Sequence, residues 1–165
     1  MANRQNIIDE TSIDHMDRKL LNVLQKDGRI TNADLSVRVG LSPAACHQRV
    51  KRLQSDGIIQ SYTAILDRRI SGCSQSAFVH ITLSSQGHET IEAFEAEVVK
   101  CANIIECHLM TGDYDYLLHV IVRDATEYEQ LHRNVLTSLP GVDHLTSSFA
   151  LRAVCRTTEI PLNAE

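Results

Sequence analysis

Apolar side chains along this chain follow two different periods. Between residues 14 and 56 they recur three and four apart, and from residue 76 onward they mostly alternate. Met16, Leu20, Val23 and Leu24 predict a helix over 14–27, opened by Asp14 with Asp17 as its capping partner and stopped at Asp27-Gly28. The stretch TNADLSVRVGLSPAACHQRVKRLQSDG, residues 31–57, writes two more helices. Thr31 caps one over 31–39 and Gly40 ends it; Ser42 caps the next, over 43–56, with Pro43 at its first position and Gly57 closing it. Leu35, Val39, Leu41, Cys46, Val50 and Leu53 pack inward. That leaves Ala44, Ala45, His47, Gln48, Lys51, Arg52 and Ser55 on the outer face of the third helix. Two helices meeting at a sharp turn, the second presenting small residues, then hydrogen-bonding groups, then cations, predict a helix-turn-helix suited to the major groove of double-stranded DNA.

Ile58–Leu66 is β-branched and apolar and reads as a connecting strand; 67–76 is a polar, glycine-containing link. Ala77, Val79, Ile81 and Leu83 then form one strand face, with Phe78, His80 and Thr82 on the other. A helix over 89–101 follows, inward at Ile91, Phe94, Val98 and Cys101. Strands over 104–111 and 115–123 are joined by Gly112-Asp113-Tyr114, and a helix over 125–138 ends at Pro140-Gly141 before a last strand over 143–155. The order βαββαβ is the ferredoxin-like plan, an antiparallel sheet with both helices on one face. The fold class is α+β: a flexible tail (1–12), a helix-turn-helix domain (13–57), a connecting strand and linker (58–75), and a ferredoxin-like domain (76–165). Val79, Ile81, Leu109, Leu118, Val120 and Val122 are expected beneath the helices. Phe78, His80, His108, Met110, Leu117, His119, Ile121, Phe149 and Leu151 are expected on the opposite face, too apolar to be left in water. A second copy of the chain is the expected cover, and a dimer also suits a two-fold operator.

Charge sharpens this division. The net charge is −5, yet residues 1–66 hold nine lysines and arginines against seven acids, and residues 67–165 hold seven against fourteen. Arg29, Arg38, Arg49, Lys51 and Arg52 concentrate the positive field where DNA is expected. With 43% hydrophobic and 22% charged residues the composition is globular. No apolar run approaches the roughly 20 residues of a membrane span, and MANRQNIIDETS lacks the apolar core of a secretory signal, so the expected compartment is the cytoplasm. Five cysteines without a CxxC pair read as reduced thiols. Cys101, Cys107 and His108 match no standard zinc spacing, so neither a metal nor a cofactor is expected.

Within the third helix, Arg49, Lys51 and Arg52 are the candidate phosphate contacts, and His47 and Gln48 the candidate base readers, glutamine having a bidentate match to adenine. Ala44 and Ala45 either permit close approach or are good helix formers. Asp113 and Asp115 admit three readings: a carboxylate pair for catalysis, a site for an amine, or turn residues. His80, His108 and His119 read either as polar groups satisfied within an interface or as a metal- or pH-sensitive cluster. The chain offers no phosphate loop, nucleophile motif or metal signature, so an enzyme is not expected.

IDHMDRKLLNVLQKDGRITNADLSVRVGLSP, GIIQSYTAILD, GDYDYLL (residues 112–118), LPGV (139–142) and TTEIPL (157–162) resemble, in this order, motifs of the Lrp/AsnC family, the feast/famine regulators. The resemblance runs over residues 13–162. It implies a winged helix-turn-helix followed by a ligand-sensing ferredoxin-like domain of the AsnC type, dimers that assemble to tetramers or octamers, and transcription regulated by an amino acid or related metabolite. DNA contacts would fall on Ser42, Pro43, Ala44, Ala45, His47, Gln48, Arg49, Lys51 and Arg52. The effector pocket, between dimers, would take Leu109, Met110, Thr111, Gly112, Asp113, Tyr114, Asp115 and Tyr116, joined by Ser148, Phe149 and Ala150. His47 departs from the family's usual residue there, so operator preference does not carry over. A DNA-organising protein without an effector is the alternative.

Overall fold

The computed structural model describes residues 13–162 of the 165-residue chain; the tail expected over 1–12 lies outside the described residues. The chain divides into two compact units, one comprising residues to Ile65 together with those from Cys155, the other Leu66–Val154.

In the first unit α1 (His15–Leu24), α2 (Asn32–Val39) and α3 (Pro43–Ser55) begin at the caps read from sequence. The Asp14 and Asp17 carboxylates accept from each other's backbone N–H at 2.8 and 3.0 Å, a closed capping box. Thr31 accepts from Asp34 N–H and Ser42 from Ala45 N–H. Gly40 stands at φ 75°, the left-handed turn that lets α3 leave α2 sharply. Asn32 also donates to Pro43 O at 2.9 Å across that turn. Leu20, Leu35, Val39 and Cys46 form the core, with Met16, Val23, Ile30, Leu41 and Val50 around them.

Three expectations change here. α1 ends three residues early, because Lys26 N–H reaches back only to Val23 O and tightens the last turn. Residues 58–66 form no strand: a strand needs a hydrogen-bonded neighbour, and none of the described residues provides one. Residues 155–162, expected with the sheet, instead lie along α1. The Gln25 side-chain amide donates to Ile160 O at 3.1 Å and accepts from Ile160 N–H at 2.6 Å, and Asn22 donates to Leu162 O.

The second unit is ferredoxin-like. β1 (Gln75–Leu83), α4 (His88–Val98), β2 (Ile104–Leu109), β3 (Tyr116–Val122), α5 (Ala125–Asn134) and β4 (Val142–Phe149) form an antiparallel sheet in the order β2-β3-β1-β4. β1 and β3 alternate strictly. Ala77, Val79, Ile81 and Leu83 are buried with Tyr116, Leu118, Val120 and Val122 beneath Phe94 and Val98 of α4 and Tyr128 and Leu131 of α5. α5 stops at Asn134 and gives way to a short 3-10 turn, Leu136–Ser138, rather than running on to 138.

β4 ends at Phe149, not 155: Ala150 N–H bonds to Ser76 O, and β1 offers no further partner beyond its own start. Three face assignments are corrected with it. Phe149 pairs with Ala77 and so points beneath the helices, its ring 4.9 Å from that of Tyr128. Leu151 lies past the strand, fully exposed. Leu109, opposite Tyr116 on the helix side, is 63% exposed because it ends the edge strand β2, whose earlier residues Ile104 and Cys107 pack on the core. Met110 also lies past the end of its strand.

Gly141 sits at φ 74°, its carbonyl accepts from Ser84 N–H, and a Cβ there would overlap Thr90 Cγ2. Gly40 has open space. Gly40→Ala should therefore cost only the left-handed backbone, about 1–2 kcal/mol, whereas Gly141→Ala should cost more and be partly restored by Thr90→Ser. Urea unfolding of the single and double variants checks this.

Candidate functional site

The outer stripe of α3 is built by its caps and its buried side. Cys46 and Leu53 are fully buried, so the residues half a turn away face solvent. Ser42, Pro43, Ala44, His47, Gln48 and Lys51 are exposed there, Ala45 is half-buried, and Lys51 makes no ion pair among the described residues. The two arginines differ. Arg49 donates from a single nitrogen to Asp14 at 2.6 Å and Asp17 at 2.9 Å, and Arg52 pairs with the other Asp17 oxygen. Asp17 is completely buried. Sequence reading found the Asp14–Asp17 cap but not these partners, because nothing in residue spacing brings positions 32 and 35 residues apart together.

This clasp shifts its members. Desolvation opposes the charge of Asp14, but the Asp17 N–H and the Arg49 guanidinium outweigh it, lowering the carboxyl from 3.8 to about 2. Donating to the Asp14 and Asp17 carboxylates raises the Arg49 pKa.

In the second unit the predicted effector residues divide. Leu109, Met110, Asp115 and Tyr116 line a cavity of about 240 Å³ with Leu83, Gln86 and Ile91, three residues the sequence reading missed. Their only signal was the Ser84–Gly87 break between β1 and α4. Thr111, Gly112 and Asp113 form an exposed loop with Gly112 at φ 124°, and Tyr114 packs on His80 at 4.2 Å.

The carboxylates of the loop have separate fates. Asp115 accepts from Leu83 N–H and from Gln86 Nε2, each at 2.7 Å, which stitches the loop to the end of β1. Asp113 is exposed and without a partner among the described residues. Tyr116 is buried, donates to Glu95 at 2.7 Å, and has its pKa raised by burial and by that carboxylate.

Ser148, Phe149 and Ala150 are not near this loop. β4 and β3 flank β1, and Phe149 opposes Ala77 while Tyr116 opposes Ile81. Strand geometry thus puts the two groups at diagonal corners of the sheet, roughly 16 Å apart.

On the open face His119 stacks on Phe78 at 4.6 Å, and Glu106 lies 3.5 Å from His108 and 3.7 Å from His119. His80 is next to Tyr114 rather than His119. No cluster of histidine, cysteine and acid able to hold a metal occurs among the described residues, and no described helix is long and apolar enough to cross a membrane.

A capped, outward-facing second helix in a trihelical unit, joined to a ferredoxin-like domain with a small cavity under a glycine loop, defines a two-domain DNA-binding regulator. The family model of the winged helix-turn-helix DNA-binding domain matches residues 13–60, and that of the Lrp/AsnC ligand binding domain matches residues 76–160. The leucine-responsive regulatory protein of Salmonella typhimurium is 46% identical over 142 residues, covering 86% of this chain and 87% of its own. A transcriptional regulator of Neisseria meningitidis, solved as its L-Met complex, is 36% identical with a TM-score of 0.88, covering 92% of this chain and 98% of its own. An AsnC family transcriptional regulator of Agrobacterium tumefaciens is 33% identical with a TM-score of 0.86, covering 90% and 97%. The chain belongs to the Lrp/AsnC family of transcriptional regulators. Its relatives are regulators, not enzymes.

Two outcomes follow from the carboxylates. The Asp14 carboxyl titrates lower folded than unfolded, so its stabilisation is present above pH 3.8 and lost as pH falls towards about 2. Asp14→Asn, which keeps a capping oxygen but not the charge, should lower stability near neutrality and leave it little changed near pH 2, so that this part of the acid unfolding transition disappears. Asp115→Ala should cost about 1–3 kcal/mol by leaving Leu83 N–H without its acceptor, measured by chemical unfolding.

Proposed function

We propose that this protein is a cytoplasmic, sequence-specific regulator of transcription whose DNA binding or assembly is set by a small metabolite, most plainly an amino acid. The observation that supports the reading is the cavity beside the glycine loop, which lies diagonally across the sheet from the end of β4. The cavity and loop at one corner of the sheet and Ser148–Ala150 at the diagonal corner are parts of one site only when a second chain brings its own corner across. Ligand binding is then coupled to assembly, and shifts it by the difference in affinity between the two states. The names of the relatives point to the same chemistry, one being leucine-responsive and another complexed with L-Met.

In this reading Asp113 meets the ligand ammonium, since Asp115 is committed to Leu83 and Gln86. Backbone N–H groups around Gly112 meet the carboxylate, and the cavity takes the side chain. At about 240 Å³ the cavity is below the roughly 300–1,000 Å³ of sites for drug-sized ligands, as suits a small metabolite. The open sheet face, with Phe78, Leu117 and Ile121, pairs two copies into a dimer, and dimers associate further. On DNA, Ser42, Pro43, Ala44 and Ala45 lie at the N-terminal end of α3 against the groove wall. His47 and Gln48 read base edges, and Lys51 meets a phosphate.

Thermal unfolding of the full chain across a panel of amino acids, with assembly size followed by sedimentation, tests the effector. A ligand at a hundred times its Kd should add about 2.7 kcal/mol if it binds only the folded form. Asp113→Ala should keep fold and DNA binding yet lose the response. No response to any amino acid would leave a DNA-organising protein that works by assembly alone. Separately, Lys51→Ala should weaken binding on operator and random duplex alike. His47→Ala or Gln48→Ala should instead narrow the difference between the two.

A further inference from the structure

We propose that Asp17 is a positioning residue for DNA binding. From inside the first unit it holds the Arg52 guanidinium at the rim of the α3 face, where the donors left over meet a backbone phosphate, while Arg49 serves only to fasten α3 to α1. The two arginines had looked equivalent as phosphate contacts, and the structure separates them. Arg49 sits one helical turn from Ala45, Cys46 and Leu53, towards the buried side of α3. Its bonding nitrogen is shared between Asp14 and Asp17, and its side chain is 31% exposed.

Arg52, one turn further along the same side, lies further round towards solvent, three and four residues from the exposed Ser55 and Gln48, with its side chain 46% exposed. Among the described residues Nη2 alone has an acidic partner, so Nη1 and Nε remain available. A guanidinium presents five donors in a rigid fork, enough to bridge a carboxylate on one side and a phosphate on the other.

Asp17 is suited to aim it. It is fully buried and held by its own helix through the capping box. Its two oxygens accept from Asp14 N–H at 3.0 Å, from Arg49 at 2.9 Å and from Arg52. A long arginine held in place before DNA arrives gives up less conformational freedom on binding than a free one. A clasp needed only for stability would be complete with Arg49, which already reaches both carboxylates. The inference rests on α3 being the helix that faces DNA, which Lys51→Ala tests on its own.

The test is the salt dependence of binding by the full chain to a mixed-sequence duplex. Arg52→Gln should flatten the plot of log K against log salt by about 0.9 for each engaged recognition helix, as loss of one phosphate contact requires. Arg49→Gln should lower the unfolding midpoint and leave the slope unchanged. Asp17→Asn, nearly the same in shape, should keep the slope but reduce affinity several-fold at every salt concentration, because the cation is present but no longer aimed. Arg52→Lys should behave like Asp17→Asn, retaining charge but not the fork. An unchanged slope for Arg52→Gln, or an equal flattening by Arg49→Gln, would overturn the division of roles, whether or not Asp17→Asn folds. Unaltered affinity in a folded Asp17→Asn would remove Asp17 from the role.

Discussion

A carboxylate taken out of water must be answered by donors, as the buried Asp17 is, and the half-buried Asp115 is bonded in the same way. In the helical unit Asp17 accepts from a backbone N–H and two guanidinium groups, joining the start of α1 to the middle of α3. In the sheet unit Asp115 accepts from Leu83 N–H and Gln86, tying the β2–β3 loop to the end of β1. Burying the Asp17 charge without those donors would be prohibitive. The orientation of α3 and the position of the glycine loop both depend on these donors. Every buried side-chain polar atom among the described residues has a partner.

The same constraint separates scaffold from surface. Arg49 and Asp115, each legible as a binding residue by its chemistry, are committed to the fold. Lys51, His47, Gln48 and Asp113 are exposed, without ion-pair partners among the described residues. The side chains left exposed on these surfaces are those the core did not need. They are held in place by neighbours that did commit: α3 by its clasp and caps, and the loop by Asp115.

The sheet shows how topology divides function. Strict alternation along β1 and β3 makes one face a core and leaves the other with Phe78, Leu117 and Ile121 half-buried beside His119 and Glu106. The antiparallel order β2-β3-β1-β4 also sends the loop and the end of β4 to opposite corners. The cavity under the glycine loop and the end of β4 are therefore separate features of one chain.

Local chemistry was readable in the sequence: the caps at Asp14, Thr31 and Ser42, the left-handed turn at Gly40, the alternation of β1, and hence the order of elements and the fold. These depend on interactions between residues a few positions apart. What lay beyond it was pairing across distance. Residues 58–66 carry the composition of a strand, but a strand exists only where a partner accepts its hydrogen bonds. Phe149 changed face because β4 meets β1 in a register that alternation within β4 does not reveal. Leu109 has the right parity for the core but stands at the last position of an edge strand. Arg49 and Arg52 meet Asp17, more than thirty residues away in sequence. Composition and spacing specify which side chains can bury or bond; only the folded chain determines which of them meet.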